Sequence, residues 1–139
     1  MFRAILVATL FGLCLTLASA PCFAGSYLSR AALLLDGSRV ERDTVRPHAD
    51  DQELVELIHD LAAARMAAAR RMGVPSAVAS VHPHLLLVLE NTERACAAAL
   101  DGNLEKFAQH LARARAEDAT FRALVAGLGY TLPGSAPPH

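Results

Sequence analysis

The chain has 139 residues, with 13 basic and 14 acidic side chains and a formal net charge of −1 at pH 7. Neither sign of charge is collected into a long run, which argues against binding to nucleic acid or to anionic membrane surfaces. The length is enough for one hydrophobic core even after a short terminal segment is removed. We therefore expect one globular domain that binds no nucleic acid.

The N-terminal residues have the three parts of a secretory signal peptide. Arg3 supplies a positive start, and residues 4–18 are apolar. Cys22 and Ala24 then place small side chains before a cleavage point that leaves Gly25 as the first mature residue. The pattern predicts that the mature chain is exported, either to the periplasm or out of the cell.

An uncleaved membrane anchor is the alternative interpretation of this segment. No charged residue occurs between Arg3 and Arg30, and a helical span needs only about 20 apolar residues. Pro21 and the small residues after Leu17 favour cleavage, which leaves no stable membrane span. The predicted divisions are a signal peptide at 1–24, a helical domain at 25–132 and a disordered tail at 133–139.

The cysteines limit the covalent chemistry of the mature chain. Of the three cysteines, only Cys96 lies outside the predicted signal peptide, so no internal disulfide is possible. Its place in an apolar helical pattern favours a buried, unreactive thiol over a disulfide between two chains.

The first of four predicted helices covers about residues 26–46 and ends before Pro47. We expect a break or bend at Gly37, because glycine costs about 1 kcal/mol relative to alanine inside a helix. Helical spacing predicts one buried stripe on this helix, formed by Leu28, Ala31, Leu35, Ser38, Arg42 and Val45.

The second predicted helix has recognisable signals at both ends. Asp50, followed three residues later by Glu53, resembles a capping box. Gly73 is expected to close the helix in a left-handed conformation, and Pro75 prevents its continuation. The predicted buried stripe consists of Leu54, Leu57, Ile58, Leu61, Ala68 and Met72.

The last two predicted helices are joined by a tight turn. The third begins at Ser76 or Pro83, and the fourth follows a turn at Gly102 and is capped by Asn103. Residues 130–132 are expected to fold back onto the domain. Four helices of about 20 residues with short links predict an all-α, up-down-up-down four-helix bundle. The predicted stripe of the fourth helix consists of Leu104, Phe107, Leu111, Phe121, Val125 and Leu128.

Local motifs of the common enzyme classes are absent from the sequence. It contains no haem-attachment motif, glycine-rich phosphate loop, nucleophile elbow or His-Glu-x-x-His pattern. Glu56 and His59 form a single Glu-x-x-His pattern, whereas a di-metal bundle site needs two. The pair His82 and His84 is too unspecific to define a metal site. We expect no catalytic residue, no cofactor and no resident metal.

Charged side chains within the predicted apolar stripes are the candidates for a ligand site, because ionised groups are rarely buried unless they are paired. Antiparallel alignment of the helices predicts that Arg65 lies level with Asp118. It also predicts that Arg42, Glu93 and His110 lie together one or two layers away. These groups are interpreted as ion pairs that fix helix register, or as a pocket for a small anion or metal ion.

The third helix is apolar on every side over residues 85–89. A helix of this kind must be covered all round, or it leaves a patch that marks an interaction site. The first helix, residues 130–132 or a second chain would supply the cover. The candidate interaction surface consists of Leu86, Leu87 and Val88.

The function expected from these patterns is that of an exported, non-catalytic helical bundle that acts through protein–protein interaction, as a homodimer or with another protein. The alternative is a periplasmic binder of a metal ion or small anion that uses the polar layers between the helices. An enzyme with a dispersed site is a third hypothesis, although no pair of nucleophile and base is suggested by spacing.

Overall fold

The structure is a computed structural model that describes residues 20–134, with side chains from residue 23 onward. This part of the chain is all-α. Its four helices are α1 at Ala20–Val45, α2 at Gln52–Arg70, α3 at His82–Leu100 and α4 at Leu104–Gly127. Two 3-10 turns, Arg46–His48 and Ser76–Val78, lie in the links before α2 and α3.

The predicted signal peptide and tail fall largely outside this range. Residues 1–19 and 135–139 are not among those described, so both segments stay predictions. Helix α1 continues without interruption past Ala24, the predicted cleavage point, and Ala24 is buried. None of the helices in residues 20–134 has the length and apolar character needed to cross a membrane.

Helix α1 presents the predicted stripe to the core. All six stripe residues, from Leu28 to Val45, are buried. The break predicted as one possibility at Gly37 is absent, because the helix continues through this position. The guanidinium of Arg65 lies against Gly37, where a Cβ atom would overlap it. The glycine therefore permits a close approach between two helices instead of ending one.

The ends of α2 differ from the predicted ones. The N-cap is Asp51, not Asp50, and its carboxylate accepts a hydrogen bond from the amide of Leu54 at 3.1 Å. Gly73 is not left-handed, since the positive-φ glycines among the described residues are Gly102, Gly129 and Gly134. Arg71 closes the helix in a right-handed conformation and donates to carbonyls of the last turn, so no left-handed residue is required.

The predicted buried face of α2 is mostly wrong. Leu57 and Leu61 are 60% and 50% exposed. Val55 and Ile58 pack in one cluster with Ala95, Ala98 and Ala99 of α3. The short side chains of α3 let this face of α2 approach closely. The core stripe of α2 consists of Val55, Ile58, Ala62, Met66 and Ala69.

Helices α3 and α4 agree with the sequence more closely. Pro83 lies in the first turn of α3, which decides between the two predicted starts. Gly102 is left-handed, and the Asn103 side chain accepts a hydrogen bond from the amide of Lys106 at 3.0 Å. The α4 stripe is buried except at its two end residues, Leu104 and Leu128, which are exposed.

The helices pack around α3, which contacts each of the other three. Tyr27 lies beside His82 and Ser38 beside Thr92, so α1 and α3 run parallel. His84 reaches Glu117 and Asn91 reaches His110, so α3 and α4 run antiparallel. The core has two parts, a first apolar cluster that includes Tyr27, Leu35, Phe121 and Leu132 and a second that includes Val45, Cys96 and Phe107.

Candidate functional site

A layer of buried polar side chains lies between the two apolar clusters. On α1 it occupies the turn between Leu35 and Val45, and on α3 the turn between Leu89 and Ala95. Burial of such groups is costly unless they bond to one another. The polar layer consists of Ser38, Glu41, Arg42, Asn91, Thr92 and Asp118.

Arg42 is the centre of the polar layer, with only 3% of its surface exposed. Its Nη1 donates to Ser38 Oγ at 2.8 Å and to Thr92 Oγ1 at 3.2 Å, and these two hydroxyls are 2.8 Å apart. Its Nη2 lies 3.5 Å from a carboxylate oxygen of Asp118. Burial lowers the pKa of Arg42, whereas the charge of Asp118 acts in the opposite direction.

Asp118 joins α4 to α1. Besides its ion pair with Arg42, it accepts a hydrogen bond from Nε of Arg122 at 2.7 Å. Arg122 in turn reaches Asp36 at 3.9 Å. The predicted pairing of Asp118 with Arg65 is therefore wrong, and Arg42 takes the place of Arg65 at this carboxylate.

Arg65 pairs instead with Glu41, a residue that the sequence interpretation missed. Nε and Nη2 of Arg65 both reach Oε1 of Glu41, at 3.0 and 2.9 Å. Within the described residues the other oxygen, Oε2, is buried without a hydrogen-bond partner. The signal for Glu41 was present in its spacing, since it follows Ser38 by three residues on the stripe of α1.

The predicted group of Arg42, Glu93 and His110 is not formed. His110 lies instead beside Asn91, with its Nδ1 3.0 Å from the side-chain amide oxygen of that residue. Partial burial and the nearby positive charge of Arg113 lower the pKa of His110. The side chain of Glu93 is half-buried and makes no hydrogen bond or ion pair with any residue from 20 to 134, whereas its neighbour Thr92 is the residue that bonds to α1.

Four arginines border the solvent side of the polar layer, in a cleft of about 330 Å³ between α1 and α4. Arg115 is exposed, and its side chain forms no hydrogen bond or ion pair with any residue that the structure describes. Arg39 has only a 4.0 Å contact with Asp36. We call this feature the arginine cleft; it is lined by Arg39, Arg42, Asp43, Arg115, Asp118, Ala119 and Arg122.

The histidines do not assemble into a metal site. Across residues 20–134, no group of three or more His, Cys, Asp or Glu side chains is close enough to hold a metal ion. Nδ1 of His82 lies 3.1 Å from the Tyr27 hydroxyl, whereas Nδ1 of His84 lies 2.7 Å from a carboxylate oxygen of Glu117. Burial lowers the pKa of His82 and raises that of Tyr27 to about 12.

Cys96 is buried on α3, as the sequence predicts. Burial, assisted by the negative charge of Glu41, raises the pKa of its thiol to about 12. Because the thiolate is the reactive form, this cysteine is protected from oxidation and alkylation in the folded protein.

The predicted interaction surface on α3 is mostly buried, so this prediction is wrong. Val88 is fully buried, and Leu86 packs against the first apolar cluster. Leu132 and Tyr130, from the segment after α4, belong to the same packing. Of the three predicted residues only Leu87 is exposed, at 38%, so the cover of this helix is largely intramolecular.

A larger apolar surface lies on α2. With about 3.6 residues per turn, its residues lie roughly 120° around the helix from the core stripe. An open groove of about 510 Å³ runs beside Leu54 and Leu57 and is bordered by the carboxylates of α2. We call this surface the outer stripe; it consists of Leu54, which is half-buried, and the exposed residues Leu57, Leu61, Ala64 and Ala68.

The fold and these surfaces define an all-α, four-helix protein with a buried polar layer and an uncovered apolar stripe. Comparison of the chain with protein-family models, curated proteins and solved structures finds no match.

Proposed function

We propose that this chain is an exported, non-catalytic, up-down-up-down four-helix protein that acts by binding another protein through the outer stripe of α2. The observation that carries the proposal is the exposure of Leu57 and Leu61, at 60% and 50%, on one helical face. Contiguous exposed leucines bordered by charged residues are typical of interaction sites.

The spacing of the outer stripe supports a helix as the binding partner. Its residues follow one another at intervals of three, four, three and four, from Leu54 to Ala68. This is the spacing that lets one helix pack along another over several turns.

A photo-crosslinking amino acid at position 57 tests the binding surface in the cells that produce the protein. We expect illumination to give a covalent protein adduct. The control places the same amino acid at Gln109, which is exposed on α4. No adduct from position 57, or equal adducts from both positions, would contradict the proposal.

Export is supported by the N-terminal pattern of Arg3, an apolar stretch and small residues before Gly25. Intact mass and N-terminal sequencing of the protein isolated from its cells test this part. We expect Gly25 at the N-terminus. A chain that retains Met1 would contradict cleavage.

The arginine cleft favours a second candidate function, the binding of a small anion. Guanidinium groups match the oxygens of phosphate and carboxylate, and Arg115 has no partner among the described residues. The carboxylates of Asp43 and Asp118 offset part of the positive charge, so an anion would depend on the free arginine.

Titration with inorganic phosphate at low ionic strength, followed by NMR chemical shifts, tests this second function. We expect saturable shifts at the cleft, and about tenfold weaker binding for Arg115→Gln, since a hydrogen bond to a charged group contributes about 1.5 kcal/mol or more. Arg113→Gln, an exposed change on the same helix outside the cleft, is the matched control. The second function would be excluded by shifts that do not saturate, or by equal effects of the two substitutions.

A further inference from the structure

We infer that the protein covering the outer stripe is a second copy of this chain, bound so that the two α2 helices run antiparallel. The inference rests on the proposed function, because both require the outer stripe to be a protein-binding surface. It goes further in naming the partner and the orientation.

Charge along α2 favours this arrangement. Five carboxylates occur over residues 50–60, and no lysine or arginine occurs from residue 47 to residue 64. At the other end of the helix, Arg71 follows Ala68 along the line of the outer stripe. An antiparallel pair sets the acidic end of each copy against the basic end of the other, whereas a parallel pair sets acid against acid.

Side-chain size along the outer stripe favours the same arrangement. Three leucines occupy its first half, and Ala64 and Ala68 occupy its second half. When Leu61 of one copy lies opposite Ala64 of the other, Leu57 lies opposite Ala68. Each of these layers then packs a leucine against an alanine, which lets the helices approach without leaving a void.

The charged residues agree with this register. Arg71 of one copy then lies opposite Leu54 of the other, next to Glu53. In a parallel pair, by contrast, Glu53 would face Glu53 and the leucines would meet at one end while the alanines left a gap at the other. The two-fold symmetry repeats the favourable contact at both ends of the interface.

Sedimentation equilibrium of the protein purified from its own cells tests the inference. We expect a dimer for the wild type, and an increase of about a hundredfold or more in the dissociation constant for Leu61→Glu, which buries two carboxylates at the centre of the interface. Leu33→Glu changes a leucine of α1 that is 71% exposed, against 50% for Leu61, and should leave the dimer intact. Circular dichroism establishes that each variant is folded.

Charge reversal tests the orientation. We expect Arg71→Glu and Glu53→Arg each to weaken the dimer, and the double variant to restore it, because the antiparallel pair brings these two positions together. A wild-type dimer that the double variant weakens further would overturn the antiparallel orientation.

The outcome for the dimer is separable from that for the proposed function. A monomeric wild type whose position 57 crosslinks to a different protein overturns the dimer and leaves the proposed function standing. A monomeric wild type with no adduct from position 57 overturns both. A dimeric wild type with an adduct of twice the chain mass supports both.

Discussion

Gly37 shows how one residue without a side chain sets the contact between two helices. From sequence alone, this glycine indicates a weak point in α1. In the structure, its missing side chain leaves the space in which Arg65 lies, and Arg65 reaches the buried Glu41 from there. The loss of about 1 kcal/mol in helix propensity is offset by this charged hydrogen bond.

We predict that the effect of Gly37→Ala changes sign with the residue at position 65. In the wild type, the alanine displaces Arg65 from Glu41 and should lower the free energy of unfolding by about 1 kcal/mol. In the Arg65→Met background the same alanine should raise it, by up to about 1 kcal/mol, because only helix propensity remains. Urea unfolding of the wild type, the two single variants and the double variant measures this double-mutant cycle. If Gly37→Ala changes the free energy of unfolding in the same direction in both backgrounds, this explanation is refuted.

His82 provides a prediction for the dependence of stability on pH. Burial lowers its pKa below the ordinary value of 6.5, so the folded protein binds fewer protons than the unfolded chain in the range between the two values. The stabilisation is present above the ordinary pKa and is lost as the pH falls through the folded pKa.

Urea unfolding at a series of pH values, from about pH 7.5 down through the ordinary histidine pKa and below it, follows this loss. The free energy of unfolding should fall on acidification, and it should fall less steeply in His82→Gln, which retains a polar group beside Tyr27. If the free energy of unfolding falls equally steeply with pH in both proteins, His82 does not contribute to the pH dependence of stability.

At the scale of the element, α2 has two apolar stripes, and the choice between them is not local. The outer stripe carries Leu54, Leu57 and Leu61 and the core stripe carries Val55, Ile58 and Met66, so the apolar pattern alone does not decide which face is buried. The small residues of α3, among them Ala95 and Ala99, favour close packing against the face that carries Val55 and Ile58. Packing density between neighbouring helices therefore decides which face of α2 is buried. The apolar pattern of a single helix carries no information about that density.

Two adjacent residues test the assignment of faces on α2. Ile58→Ala should lower the free energy of unfolding by about 2 kcal/mol or more, because it leaves a cavity in the core. Leu57→Ala should change it by no more than about 0.5 kcal/mol when measured on dilute, monomeric protein. Thermal or urea unfolding separates the two, and a larger effect at Leu57 would reverse the assignment.

At the scale of the whole molecule, the four helices, the Asn103 cap, the stripe of α1 and most of that of α4 could be predicted from the sequence. The pairing of the buried charges could not. A shift of about one turn between helices exchanges Arg42 and Arg65 as partners of Asp118, and helix spacing does not determine that shift. In the folded chain this shift is fixed by two hydrogen bonds, that of Arg65 to Glu41 and that of Arg42 to Thr92.

The polar layer divides the core into two apolar clusters and gives each helix one register in which its polar groups are paired. A role of this kind specifies an arrangement and need not add net stability. Pairing within the polar layer explains most of the charged side chains in the stripes, and no ligand is needed to explain them. This pairing does not account for the outer stripe of α2, where Leu57 and Leu61 are exposed although Leu54 packs against the second apolar cluster.

The most direct test of the central claim is a scan of the photo-crosslinking amino acid along the exposed positions of α2. We predict that adduct yield is high at Leu57, Leu61, Ala64 and Ala68 and low at Ala67 and Arg70, which are exposed but turned away from the outer stripe. A yield that is uniform along the helix, or highest at Ala67 and Arg70, would contradict the claim that the outer stripe binds a protein.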